Sequence, residues 1–237
     1  MKSSAHSGDY DNKVVIITGA SRGIGYATAQ AFLEAGAKVA ICAIDKARLN
    51  HAQKSLSRFG EVVAFAADVG LFREAQGFVQ KVLQRFGRID VLVNNAGRLA
   101  MGEFAQQDIA DIDEVIDTNV KGALYTTRLV LPLMVGRSSG VIINVSSGIG
   151  LHGRAGFAVY CASKSALIGF TQSLAQEVEK QGVSVYAICP GAVAPGMQPE
   201  RFGEMKGMPA ERVAEKILKL AGSRPPIRAG EHLEVYR

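Results

Sequence analysis

Six stretches of nearly continuous Val, Ile and Ala recur along the 237 residues, and most are separated by a segment with helical periodicity. The apolar runs are 13–18, 38–43, 62–66, 89–93, 141–145 and 183–188, with a short seventh at 233–235. A strand that is apolar on both faces belongs in a parallel sheet covered by helices on each side; a strand half in water would alternate. Amphipathic segments at 24–35, 49–58, 72–86, 111–134 and 159–180 supply those helices, and Gly36, Gly60, Gly87 and Gly182 each stand where a helix closes before the next strand. This alternation predicts an α/β protein, a doubly wound Rossmann-type parallel sheet of about seven strands with helices on both faces. No linker, repeat or low-complexity stretch interrupts it, so a single domain over 12–237 is expected, after a flexible polar tail at 1–11.

The charge balance narrows the partners. Lys and Arg exceed Asp and Glu by 27 to 22, but the basic residues are scattered and carry no aromatic platform, which argues against nucleic acid. No apolar run approaches the ~18 residues that span a bilayer, and the polar start lacks the apolar core of a secretion signal. Cys42, Cys161 and Cys189 lie far apart and none of the four histidines has a ligand partner at a useful spacing, so neither a disulfide framework nor a metal site is expected. A reducing, cytoplasmic location fits these thiols.

Two motifs carry chemistry. The first apolar run leads into Thr18-Gly-Ala-Ser-Arg-Gly-Ile-Gly25 and then a helix, so Gly19, Ser21, Arg22, Gly23, Ile24 and Gly25 form a loop whose backbone can approach a pyrophosphate at a helix N-terminus. The second is Ser147 after the fifth run, with Tyr160 thirteen residues later and Lys164 four beyond that. On a helix, Tyr160 and Lys164 share one face, where the ammonium should pull the phenol from a pKa of ~10 toward working pH. A phenol so tuned can exchange a proton with a substrate oxygen while the Ser147 hydroxyl steadies the charge that develops there.

The loop spacing Gly-x3-Gly-x-Gly, followed in order by Asp68-Val69, Asn94-Asn-Ala-Gly97, Asn119, Ser147, Tyr160-x3-Lys164 and Pro190-Gly191, resembles the short-chain dehydrogenase/reductase family. The resemblance is close over about 12–191 and looser beyond. It implies an enzyme that interconverts a ketone or 3-oxoacyl carbonyl and a secondary alcohol by hydride transfer, using NAD(P)(H). It assigns Asp68 and Val69 to the adenine, Asn95, Ala96 and Gly97 to the cofactor cleft, Pro190, Gly191 and Val193 to the nicotinamide side, and Lys164 to the nicotinamide ribose as well. Asn119 matches the asparagine whose backbone position holds a relay water, and with Ser147, Tyr160 and Lys164 completes the catalytic set. The neutral Ala43 where a carboxylate would repel a 2′-phosphate, with the charge of Arg22 and nearby Lys46 and Arg48, favours NADP(H) over NAD(H), the alternative.

Departures from the pattern fall in the last third. Pro195 replaces the threonine expected to contact the carboxamide, 194–208 is short for a lid, and the usual glycine pair near the end is missing. Gly196, Met197, Phe202, Met205 and Met208 predict a loose apolar cover. Substrate identity stays open among a 3-oxoacyl thioester on acyl carrier protein, small ketones, sugars and polycyclic alcohols. The long segments 111–134 and 159–180 predict, by the same resemblance, a homo-oligomer, a tetramer before a dimer. The competing function is a dinucleotide-binding regulatory or scaffold subunit with little turnover.

Overall fold

A computed structural model describes residues 10–194 and 207–236 of the chain. Strands β1 (Val14–Thr18), β2 (Lys38–Ala43) and β3 (Val62–Ala66) alternate with helices α1 (Gly23–Glu34), α2 (Lys46–Leu56) and α3 (Phe72–Phe86). Then follow β4 (Val91–Asn94), α4 (Ile109–Ile116), α5 (Gly122–Val135), β5 (Gly140–Val145), α6 (Ala158–Val178) and β6 (Val183–Pro190). A two-residue pair, β7 (Val193–Ala194) with β8 (Met208–Pro209), precedes α7 (Ala210–Ala221) and the edge strand β9 (His232–Val235).

Seven strands form one parallel sheet in the order β3-β2-β1-β4-β5-β6-β9. Alternation along β1 explains the unbroken apolar runs. Val15 and Ile17 join the core layer of Phe32, Leu33, Val213 and Ile217, whereas Val14 and Ile16 join that of Phe78, Val82, Val130 and Leu174. The strand order reverses between β1 and β4, and ligands of such sheets bind outside the carboxyl ends of the strands at that point. The glycine loop leaves β1 there, the Asn95–Gly97 turn leaves β4, and Ser147 follows β5.

Several expectations are corrected. The predicted helix at 111–134 is two helices joined by a π-helical turn, Asp117–Lys121, with Asn119 inside it. Tyr10, placed in the flexible tail, is buried; it meets Phe32 edge-on at 5.2 Å and donates to the Leu218 carbonyl at 2.5 Å. Met208, expected on a lid, is buried in the core layer beside β1. Pro195 and the other lid residues, Gly196, Met197, Phe202 and Met205, lie outside the described residues. Gly36, Gly87 and Gly182 take positive φ as helix closers do, but Gly60 does not. Among the described residues no helix is long and apolar enough to cross a membrane, and no cluster of His, Cys, Asp and Glu forms a metal site.

Candidate active site

The loop after β1 is shaped by what packs behind it. A Cβ on Gly19, whose φ is +66°, would lie 2.6 Å from the Ala96 Cα, and one on Gly25 would lie 2.5 Å from Asn95 Nδ2 and 2.7 Å from the Gly19 carbonyl. Neither position can carry a side chain without moving backbone. The Asn95 side chain locks this contact by donating to the Thr18 and Gly19 carbonyls at 2.8 and 3.0 Å. Thr18 Oγ1 in turn accepts from the Asn95 and Ala96 backbone N–H groups at 3.0 and 2.9 Å. Helix α1 opens at Arg22 with no side-chain cap and no acidic residue in its first turn. Its unpaired N–H groups and positive end face the cleft, the arrangement that receives a pyrophosphate. The residues present therefore fit a dinucleotide.

The second half of the site rests on α6. Tyr160 and Lys164 are one turn apart on it, with the Lys164 Nζ 5.7 Å from the phenol ring centroid. Lys164 is buried and donates to the Val145 carbonyl at 2.8 Å. Three further bonds staple the loop after β5 to this helix. Ser146 Oγ donates to the Lys164 carbonyl at 2.7 Å, Cys161 Sγ to the Ile149 carbonyl at 3.0 Å, and Ser165 Oγ to the Gly150 carbonyl at 2.6 Å. Ser147, between the first two staples, is thereby held against Tyr160.

The electrostatics differ from expectation. Burial raises the Tyr160 phenol above its ordinary value, and only the hydrogen bond from Ser147 pulls it back. The same burial lowers Lys164 to about 8, with a small opposing contribution from Cys189. The ammonium does not bring the phenol down here: burial takes both groups out of water and so favours the neutral form of each.

Asn119 acts from behind the cleft wall. Its Oδ1 accepts from the Arg98 N–H at 2.7 Å, and its Nδ2 donates to the Arg98 carbonyl at 3.0 Å and to Ser163 Oγ at 2.9 Å. Ser163 Oγ donates to the Tyr160 carbonyl at 2.7 Å. One amide thus ties the loop after β4 to the helix bearing Tyr160 and Lys164. The π turn around it widens the helix at this point, as such turns do at functional sites.

A single cleft of about 1020 Å³ unites nearly all the predicted residues: Gly19, Ser21, Arg22, Gly23 and Ile24 from the loop, Asp68 and Val69, Asn95 to Gly97, Ser147, Tyr160 and Lys164, and Pro190, Gly191 and Val193. Gly25 and Asn119 sit just behind its wall. Ala43, Asp45, Arg48 and His152 line it as well, whereas Lys46 does not. Arg98, Ile149, Phe157 and Tyr236 also line the cleft, and no spacing marked them in the sequence.

The glycine loop at the switch point, with a hydroxyl, a phenol and a buried amine gathered in the same cleft, is the arrangement of a dinucleotide-binding α/β protein. Comparison with known proteins gives the family: the one described as short chain dehydrogenase matches residues 13–206. An uncharacterized oxidoreductase of Thermotoga maritima is 38% identical over 96% of this chain and 88% of its own length. The 3-oxoacyl-[acyl-carrier-protein] reductase FabG of the same organism is 36% identical over 95% of this chain and 87% of its length. A crystal structure of NAD+-bound xylitol dehydrogenase superimposes with a TM-score of 0.90 at 26% identity, covering 96% of this chain and 98% of that one. The chain belongs to the short chain dehydrogenase family and is an oxidoreductase that acts on carbonyl and CH–OH groups with a nicotinamide dinucleotide.

Proposed function

We propose that the protein reduces a ketone to a secondary alcohol, reversibly, with Tyr160 as the proton donor and NADP(H) as the preferred cofactor. The convergence of Ser147, Tyr160 and Lys164 in one cleft with the Gly19–Gly25 loop carries this reading. When bound, the cofactor supplies or accepts the hydride. Ser147 donates a hydrogen bond to the substrate oxygen and so steadies its developing negative charge. Tyr160, kept protonated by burial, delivers its proton to that oxygen. Lys164 in its charged form stabilises the phenolate left behind. Asn119 holds the loop and the helix in register. Following NADPH oxidation across a panel of ketones tests the reading; a protein that binds the cofactor but turns over no carbonyl compound rules it out.

The cofactor preference rests on charge at the adenosine end. Ala43 is neutral, and the nearby carboxylate is engaged: Asp45 caps α2 by accepting from the Arg48 N–H at 3.0 Å and pairs with Arg48 Nε at 3.1 Å. Arg22 has no such partner among the ion pairs of the described residues, so it supplies the charge toward a 2′-phosphate. Arg22→Ala is expected to remove roughly 1–3 kcal/mol of the preference for NADPH, about a five- to 150-fold change in relative Kd. Fluorescence titration with both reduced cofactors measures it, and tighter NADH binding by the unaltered protein overturns it.

Assembly forms part of the same proposal. Phe104, Ile109 and Leu124 are exposed on and beside α4 and α5, and the outer face of α6 carries the small residues Ser165, Ala166 and Gly169. Pairing of these helices across a two-fold axis would cover that surface and brace the helix bearing Tyr160. A homotetramer is expected, with a dimer as its half. Light scattering that shows a stable, active 25.2 kDa monomer refutes this. An acyl carrier protein as substrate carrier is supported by the name of one relative and by the net charge of +5. The free thiols suit a cytoplasmic site of action.

A further inference from the structure

Tyr236 occupies a place in the cleft that the proposed reaction leaves without a role. It follows β9 at the sheet edge, and its ring lies across two glycines. A Cβ on Gly148 would meet the Tyr236 hydroxyl oxygen at 3.0 Å and Cε1 at 3.2 Å, and a Cβ on Gly191 would meet Cδ1 at 3.1 Å. Those glycines adjoin Ser147 on one side and Pro190 on the other, so the ring bridges the turn after β5 and the turn after β6. The backbone holds it there, because Val235 pairs with Pro190 and the Gly191 N–H donates to the Val235 carbonyl at 2.9 Å. The residue is nonetheless 46% exposed. The glycines meet the ring along its Cδ1–Cε1–hydroxyl edge, and the residue lines the cleft.

The hydroxyl is already committed. It donates to Glu234, which raises the phenol to about 12 and keeps it neutral across the working range. Tyr236 therefore offers the cleft an uncharged, flat, apolar surface rather than a proton or a charge. Ile149, Leu99 and Val193 also line the cleft, together with the polar Arg98, His152 and Arg154. A substrate hydroxyl set directly against the Tyr236 ring would find no partner there, and its unpaired burial is unfavourable. An aromatic or cyclic ring would stack on it in an offset or edge-on arrangement.

We propose that Tyr236 is a specificity-determining wall of the substrate pocket and that it selects ketones bearing a flat ring, aryl or cyclic, over acyclic hydroxylated ketones. This deepens the reading of the site as a ketone reductase and rests on it.

The test compares an aryl ketone such as acetophenone with dihydroxyacetone, in the unaltered protein, Tyr236→Ala and Tyr236→Phe, with NADPH saturating. The unaltered protein is expected to favour the aryl ketone in kcat/KM. Tyr236→Ala should raise KM for the aryl ketone about ten- to a hundredfold, while kcat/KM for dihydroxyacetone stays within about twofold. Tyr236→Phe should keep the aryl preference, because the ring and not the hydroxyl selects. Calorimetric binding of 1-phenylethanol to the NADP-loaded protein should weaken in parallel in Tyr236→Ala only. Unaltered NADPH affinity and melting temperature in both variants show that the loss is local. A preference of the unaltered protein for dihydroxyacetone, equal losses on both ketones, or loss of the aryl preference in Tyr236→Phe each overturns the proposal. Cofactor binding with no turnover of any ketone overturns the underlying reading instead, and tight 1-phenylethanol binding in that case that is unchanged by Tyr236→Ala overturns both.

Discussion

Tyr160→Phe is expected to lower turnover by on the order of 10²–10⁴ while leaving NADPH affinity unchanged. The substitution keeps the ring, and with it the packing on α6, and removes one O–H. That O–H is the group that burial holds protonated and that Ser147 contacts. If the proton passes through Tyr160, kcat and kcat/KM fall together, because the lost interaction exists only as the substrate oxygen gains charge. Steady-state kinetics beside a cofactor titration separates the effects. Near-normal turnover in the variant, with any ketone the protein accepts, removes Tyr160 from the reaction.

Lys164→Met should have an effect of similar size on turnover but an opposite relation to stability. The ammonium is buried with one identified partner, the Val145 carbonyl, and its pKa falls from 10.5 to about 8. A base whose folded pKa lies below its unfolded value binds fewer protons in the folded state between those two values. Folding stability contributed by this group therefore rises as pH increases from about 8 toward 10.5, and the burial penalty is fully present below about 8. The penalty is on the order of 3 kcal/mol. Methionine fills a similar volume without charge, so the variant should melt no lower than the unaltered protein near neutral pH and should lose that part of the pH dependence. Ketone reduction by the unaltered protein should decline as pH rises through about 8, where Lys164 loses its proton. Melting curves and pH–rate profiles of both proteins measure this. A variant that reduces ketones normally, or a rate profile flat through that range, contradicts the assigned role.

The layered fold was legible in the sequence because its cause is local. Strands such as Val14–Thr18 send alternate residues into two different core layers, so each must be apolar throughout, and that pattern is visible without a structure. The glycine loop and the Ser147, Tyr160 and Lys164 set were legible because their spacing is the geometry: a turn between strand and helix, then one helical turn. The interruption of the 111–134 helix was not. A π turn widens the helix at Asp117–Lys121 without breaking the apolar period, and it is accompanied by the bonds from Asn119 to residues 21 and 44 positions away. Tyr10 looked like tail because a single aromatic among polar neighbours carries no period; its partners, Phe32 and the Leu218 carbonyl, are distant in sequence. Helix α7 did carry a signal, with Val213, Ala214, Ile217 and Leu218 on one buried face, although it lay beyond the segments that the strand–helix pattern singled out. The depressed Lys164 and raised Tyr160 pKa values could not be read at all. Their spacing states attraction, whereas desolvation depends on everything else packed around them.

Two turns beyond Lys164, Thr171 ties the same helix to the middle of the sheet. Its Oγ1 accepts from Asn144 Nδ2 at 2.9 Å, Asn144 Oδ1 accepts from Asn94 at 2.8 Å, and Asn94 Oδ1 accepts from Thr126 of α5 at 2.6 Å. All four side chains are buried, so opening any one of these bonds leaves a polar group stranded away from water. The middle of the helix bearing Tyr160 therefore cannot swing out by itself, since leaving its place means breaking bonds to β4, β5 and α5 as well. Amides in the middle of this helix, around Thr171, should therefore be among the slowest in the protein to exchange.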